Sequence, residues 1–229
     1  MKLNYLILLL IFPFTTMAQS VPITNSVEIV SPAKMFMTDP MRKQDALDTQ
    51  ELKSKGYISS DTTNAQYLLN IKNLAPSEIK MYQSSKNPYE THLKQSITQI
   101  PLAFLYTGIS GVTPEHIIGF APTGTYIKTG WTGIKEVFED DQLGVCSLNI
   151  ENRQLVNMQI RINSERLSYA VNSKPTTTQV EGNPKSGYRY SVFWTSGKYE
   201  CNLDCSNKDF DSSLLNKVIA YADKIDKSF

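Results

Sequence analysis

The chain has 229 residues, with 23 basic and 22 acidic side chains and a formal charge of +1. So even a balance gives no broad positive field for a phosphate backbone, and no run of Lys and Arg supplies one locally, so nucleic acid is not an expected partner. Apolar residues make up 41% of the chain, enough to bury a sizeable core.

The N-terminus reads MKLNYLILLLIFPFTTMAQS. Lys2 opens it, an apolar run follows from Tyr5 to Phe14, and Thr16-Met17-Ala18 is a small-x-small ending. This is the layout of a signal peptide cleaved after Ala18. The run is too short to span a bilayer, which takes about 20 apolar residues. The expectation is that residues 1–18 are removed and that 19–229 form one exported domain, periplasmic or secreted, with no stable membrane span. Removal takes away Lys2 and no acid, which leaves 22 basic against 22 acidic residues.

Residues 19–99 are expected to be mainly helical. Val27–Val30 is a short strand. TDPMRKQDALDTQELKSKG then predicts a helix, with Asp39 as cap, Pro40 at the first helical position and Gly56 beyond the end. Its apolar positions, Met41, Ala46, Leu47 and Leu52, are sparse, so the helix is expected to be largely exposed. QYLLNIK at 66–72 suggests a strand, and Pro76 to Tyr82 and Pro88 to Ile97 suggest two short helical pieces.

Residues 100–134 form a neutral connection rich in Gly, Pro and Thr. Between Lys94 and Lys135 the only full charges are Glu115 and Lys128. Short strands joined by turns are expected here, such as Pro101–Tyr106 and Ile117–Ala121. The span is either buried core or the lining of a binding surface. In the second case its aromatics Tyr106, Phe120, Tyr126 and Trp131 are the binding candidates, for an unknown protein or small ligand.

From residue 131 the apolar period becomes two. Leu143–Ile150 and Gln154–Ile162 are expected to pair through a turn at 151–153, with Leu148 facing Val156 and Cys146 facing Met158. A second pair is expected over Leu167–Val171 and Thr176–Glu181, followed by a turn at 182–184. The stretch YRYSVFWTSGKYECNLDC, folded at Ser196-Gly197, sorts into two faces. Tyr188, Tyr190, Val192, Trp194, Tyr199, Cys201, Leu203 and Cys205 share one, which is expected to meet the core. The other is polar except for Phe193. A helix over 211–226, capped by Asp211, presents Leu214, Leu215, Val218, Ala222 and Ile225 as a cover. The fold class is α+β: an antiparallel sheet of about five to seven strands over 135–229, packed by the C-terminal helix.

Three cysteines in an exported chain suggest a disulfide. Along an extended strand Cys201 and Cys205 stand about 13 Å apart, beyond the roughly 7 Å that a disulfide can bridge. Cys146 is therefore expected to bond to Cys205, with Cys201 as the possible substitute. The two histidines, His92 and His116, have no paired spacing, so no metal site is expected. No phosphate-cradling loop or dinucleotide fingerprint is present, and no cofactor is expected. Gly108-Ile109-Ser110-Gly111 resembles half of a nucleophile elbow, with Val112 where a second glycine would stand. A secreted hydrolase using Ser110 as nucleophile and His116 as base is thus the alternative to a non-enzymatic binding protein.

Overall fold

The computed structural model describes residues 26–60, 63–69, 93–94, 96–109 and 112–229. The expected signal sequence, the helix expected over 76–82 and Ser110 lie outside them. In chain order the elements are β1 (Val27–Val30), α1 (Asp39–Lys55), β2 (Ile58–Ser59), α2 (Thr63–Leu69), β3 (Ile117–Ile127), β4 (Gly130–Asp140), β5 (Gly144–Asn152), β6 (Ile160–Asn163), β7 (Leu167–Val171), β8 (Lys174–Asn183), β9 (Gly187–Ser196), β10 (Tyr199–Asn207) and α3 (Leu214–Asp226).

The fold is α+β, and among the described residues its main sheet has eight strands, more than expected. The order is β2-β8-β9-β10-β5-β4-β3, with β7 also on the outer side of β8. Two antiparallel meanders, β3-β4-β5 and β7-β8-β9-β10, meet where β10 lies antiparallel to β5. Strand pairing aligns side chains in rows across the sheet. One row runs Val180, Tyr190, Cys205, Cys146, Phe138, and another runs Thr176, Trp194, Cys201, Ile150, Ile134. All of these are buried, so this face meets the core. Cys146 and Cys205 are direct cross-strand partners and form the disulfide, while Cys201 is a buried free thiol.

The hairpin register differs from the expected one by two residues. Ser196 pairs with Tyr199, so Gly197-Lys198 forms the turn, and Trp194 faces Cys201 rather than Tyr199. Gly197 has φ +55° and Lys198 has no positive φ, as a II′-type turn with glycine first requires. An even shift keeps every side chain on its face, so the burial pattern survives it.

The expected 143–150/154–162 hairpin does not form. The Asn152 carboxamide accepts from Gln154 N–H at 3.2 Å, and Arg153 N–H donates to the Lys198 carbonyl at 2.9 Å, which turns the chain away. β10 takes the edge of β5 along eight paired positions. The sequel, β6, pairs in parallel with β1 in a separate two-stranded sheet.

The described residues of the N-terminal part do not make up a purely helical unit. It contributes α1 and α2 but also β1 and β2, which join the two sheets. Residues 66–69, expected in a strand, belong to α2, where Ala65 and Leu68 are buried at helical spacing. Of the stretch expected as a helix from Pro88 to Ile97, residues 88–92 and 95 lie outside the described residues; Lys94 bridges Phe120, and Ile97 opens a short 3-10 turn. Helix α1 starts one residue early, with Thr38 at the cap position, and ends at Gly56 with φ +82°; none of its side chains is buried. The 100–134 span is not a connection throughout, because strand β3 begins at Ile117.

Helix α3 covers the apolar face, with Leu214, Val218, Ala222 and Ile225 buried. A polar clamp fixes its end. Asp226 accepts Trp194 Nε1–H at 3.0 Å, Lys174 Nζ at 2.6 Å and Asn172 Nδ2–H at 2.8 Å. Burial pushes the Asp226 carboxyl up, but the hydrogen bonds from Lys174, Asn172 and Ser196 outweigh it and hold the pKa below its usual value. Its stabilising contribution is thus present above the unfolded pKa of about 3.9 and is lost as pH falls through the lower folded value. Asp226→Asn should cost about 3 kcal/mol at neutral pH, as removal of one partner from a buried pair does, and the difference from the wild type should shrink in acid. Urea titrations across pH check this. Reduction of the disulfide, which spans 59 residues, should cost about 4 kcal/mol on a chain-entropy account, measured by the same titration with and without reductant.

Candidate functional site

The other face of the β8–β10 sheet is polar, as alternation dictates, but it does not simply face water. Its rows run Thr177, Phe193, Asn202 and then Gln179, Ser191, Asp204 and then Glu181, Arg189, Ser206. A second layer lies over it, built from Met35 to Met37, α1 and β6. Between sheet and layer is a cavity of about 440 Å³. Phe193, Asn202, Arg189 and Ser191 come from the sheet, and Met35, Met37, Asp45 and β6 from the layer. Its size falls in the roughly 300–1,000 Å³ range of small-ligand clefts.

A chain of charged hydrogen bonds ties the layer to the sheet. Arg166 pairs with Asp45 at 2.7 Å and donates to the Gln179 side-chain carbonyl at 3.1 Å. Gln179 donates to Glu181 at 2.8 Å, and Glu181 accepts Arg189 at 2.6 Å. Asp204 stands 3.8 Å from Arg189 and accepts from Ser191 and from Asn202. Asn163 completes the link by donating to Asp45 at 3.0 Å. Each arginine on the cavity wall therefore has a carboxylate partner, Arg161 with Glu28 included. The apolar part of the lining is Met35, Met37, Ile160, Ile162 and Phe193. Such a wall can hold an apolar group together with neutral hydrogen-bonding groups.

Two smaller hollows lie elsewhere on the molecule. One, of about 380 Å³, lies between α3 and the β4–β5 turn and is lined by His116, Asp140, Lys217, Tyr221 and Lys224 among others. Burial first, and then the charges of Asp140 and Glu136, push the Tyr221 phenol up to about 12. The other, of about 270 Å³, contains Glu151 and Glu200, which face each other across β5 and β10. Burial raises both carboxyls. Glu151's charge raises Glu200 further, while a hydrogen bond from Thr132 partly offsets the rise at Glu151.

The residues singled out from the sequence are not gathered in any of these. Ser110 lies outside the described residues, and His116 is exposed on a 3-10 turn. Phe120 and Trp131 are in the core, 5% and 4% exposed. Tyr126 is on the surface and meets Trp131 edge-on at 5.4 Å. Tyr106 donates to Glu136 at 2.7 Å. Among the described residues no group of three or more His, Cys, Asp or Glu is placed to hold a metal ion, and no helix is long and apolar enough to cross a membrane. The cavity residues were missed, although Phe193 marked them as the one apolar residue on a polar face. Comparison with protein-family models, curated proteins and solved structures finds no match to this chain.

Glu136 was missed as well. It occupies an apolar row between Phe120 and Leu148 and is fully buried. Its Oε2 accepts from Tyr106 and from Ile109 N–H at 3.2 Å, which pins the loop on either side of the exposed Thr107, while Oε1 has no partner. Burial raises its pKa against the pull of those two bonds. The sign follows: the carboxyl's contribution is fully present below the unfolded pKa of about 4.3 and is lost as pH rises through the raised folded value. Glu136→Gln keeps an acceptor without the charge. It should gain stability relative to the wild type as pH rises from about 5 to about 8, read from urea midpoints at each pH.

Proposed function

We propose that this is an exported, non-enzymatic binding protein whose ligand enters the cavity between the polar face of β8–β10 and the layer of α1 and β6. The observation that carries the reading is the cavity itself: a hollow of about 440 Å³ with Phe193 in its wall, among polar groups whose charges are already paired. A polar face folded only for solubility has no use for a second layer held off it by a hydrogen-bonded network. Phe193 exposes apolar surface there, which is best used when a ligand covers it. Paired arginines and carboxylates set orientation without favouring a net charge, which suits recognition rather than acid–base work. Export is supported by the N-terminal layout and by a disulfide in the sheet, a bond that persists in oxidising compartments.

Native mass spectrometry of the protein isolated from the periplasmic or culture fraction of its source tests both parts. The expected species begins at Gln19 or its cyclised form, retains the Cys146–Cys205 bond on unreduced peptide mapping, and carries a bound mass that Phe193→Glu removes while circular dichroism shows an unchanged fold. A membrane-bound species starting at Met1 overturns export. A protein with no bound mass, or a bound mass indifferent to Phe193→Glu, overturns the assignment of the cavity.

A further inference from the structure

The wall that β6 gives to the cavity differs from the others. Ile160, Arg161, Ile162 and Asn163 all line it. Successive strand residues point to opposite sides, so a cavity that meets all four runs along the edge of the strand and not over one face. Among the described residues β6 pairs only with β1, so no described strand covers that edge. In the parallel ladder Ile160 N–H donates to the Ser26 carbonyl at 3.0 Å, and Ser164 N–H donates to the Val30 carbonyl at 2.9 Å. The even-numbered residues thus turn their peptide groups to β1, and the alternate residues turn theirs away. The Asn163 carbonyl is taken by Arg166 N–H at 3.0 Å. The N–H and C=O of Arg161 and the N–H of Asn163 remain on the edge away from β1.

We propose that the cavity takes an extended, uncharged peptide that adds to the free edge of β6 as a third strand of the β1–β6 sheet. The proposal rests on the reading of this cavity as the ligand site. Three observations select the occupant. Strand-edge amides and carbonyls call for the same groups in return, and main-chain pairing of this kind supplies the affinity in strand-addition complexes. Met35, Met37, Ile160, Ile162 and Phe193 give the wall its apolar part, which suits an apolar side chain. The wall's arginines are matched to Glu28, Asp45 and Glu181, so a charged side chain inside the cavity would have to break a pair. Four residues of β6 at about 3.3 Å each give an edge about 13 Å long, room for about four residues of extended chain. A two-stranded sheet is marginal alone, and a third strand adds the partner that it lacks.

The test uses the mature protein with its disulfide intact and a phage-displayed library of linear peptides as the probe. Enriched sequences are made as capped synthetic peptides, and their affinity is measured by calorimetry. Each peptide amide is then methylated in turn. Strand addition predicts a loss of tenfold or more at alternate amides only, since every second residue faces β6. On the protein side Arg161→Pro and Arg161→Ala lose the same side chain, but only proline removes the outward N–H. The proline variant should bind about tenfold more weakly than the alanine variant. Circular dichroism establishes that both are folded, and if proline disrupts the strand the methylation scan decides alone. Equal loss at every amide, no loss at any, or no enriched peptide overturns strand addition. If a small molecule still occupies the cavity in a Phe193-dependent way, only the peptide proposal fails; if nothing does, the ligand-site reading fails with it.

Discussion

The seam between β5 and β10 is the constraint on which the rest of the molecule depends. It joins two meanders that would otherwise be separate small sheets, each short of the apolar area needed to stand alone. Residues 199–207 lie beside 144–152 over eight paired positions, and the disulfide ties Cys146 to Cys205 within that pairing. Once the seam is in place, the apolar rows run unbroken from Val180 to Phe138 and give α3 one continuous surface to cover. The Asp226 clamp then sets where along that surface the helix stops. It combines a buried carboxylate with donors from β9, from Lys174 and from the β7–β8 turn, and so fixes register with groups that apolar contact leaves free to slide.

The seam also explains the second layer. With β10 on the edge of β5, the chain after Asn152 has no strand to join in the large sheet. It turns at Arg153, whose guanidinium donates to the Gly197 carbonyl, and passes to β6 on the polar side. There it meets β1, and α1 follows on the same side through Asp45, Asn163 and Arg166. A polar sheet face cannot be closed by apolar packing, so the layer is held by directional bonds between side chains. Bonds of that kind keep two surfaces apart at a set distance, and the cavity is the space that they leave around Phe193.

Two of the buried carboxylates, Asp226 and Glu136, show opposite physics. Asp226 has the Lys174 cation and neutral donors in reach, and they lower its pKa despite burial. Glu136 has a phenol and one amide, no cation among the partners it shows, and an oxygen without a bond, so burial wins. The first fastens a helix to the sheet; the second holds the 104–109 loop against it and leaves Leu105 86% exposed.

Alternation along each strand was legible from composition at successive positions, because whether a residue is buried is recorded in its own chemistry. It was enough to place Tyr190, Val192, Trp194, Cys201, Leu203 and Cys205 on one inward face, to see the stripe on α3, and to reject a Cys201–Cys205 bond on distance. It could not say which strand lies beside which. Ile160 and Ile162 offered β5 as regular an apolar face as Cys201 and Leu203 did, and only the competition between the whole of β6 and the whole of β10 for one edge decided it. The two-residue change in the 188–207 hairpin was invisible for the same reason, since an even shift leaves every face as it was. The cavity depended on a further step. Phe193 and Arg189 are local facts of the sequence, but a hollow needs two walls, and the second wall is made by residues 28 to 45 and 160 to 166, which reach the sheet only through tertiary contacts.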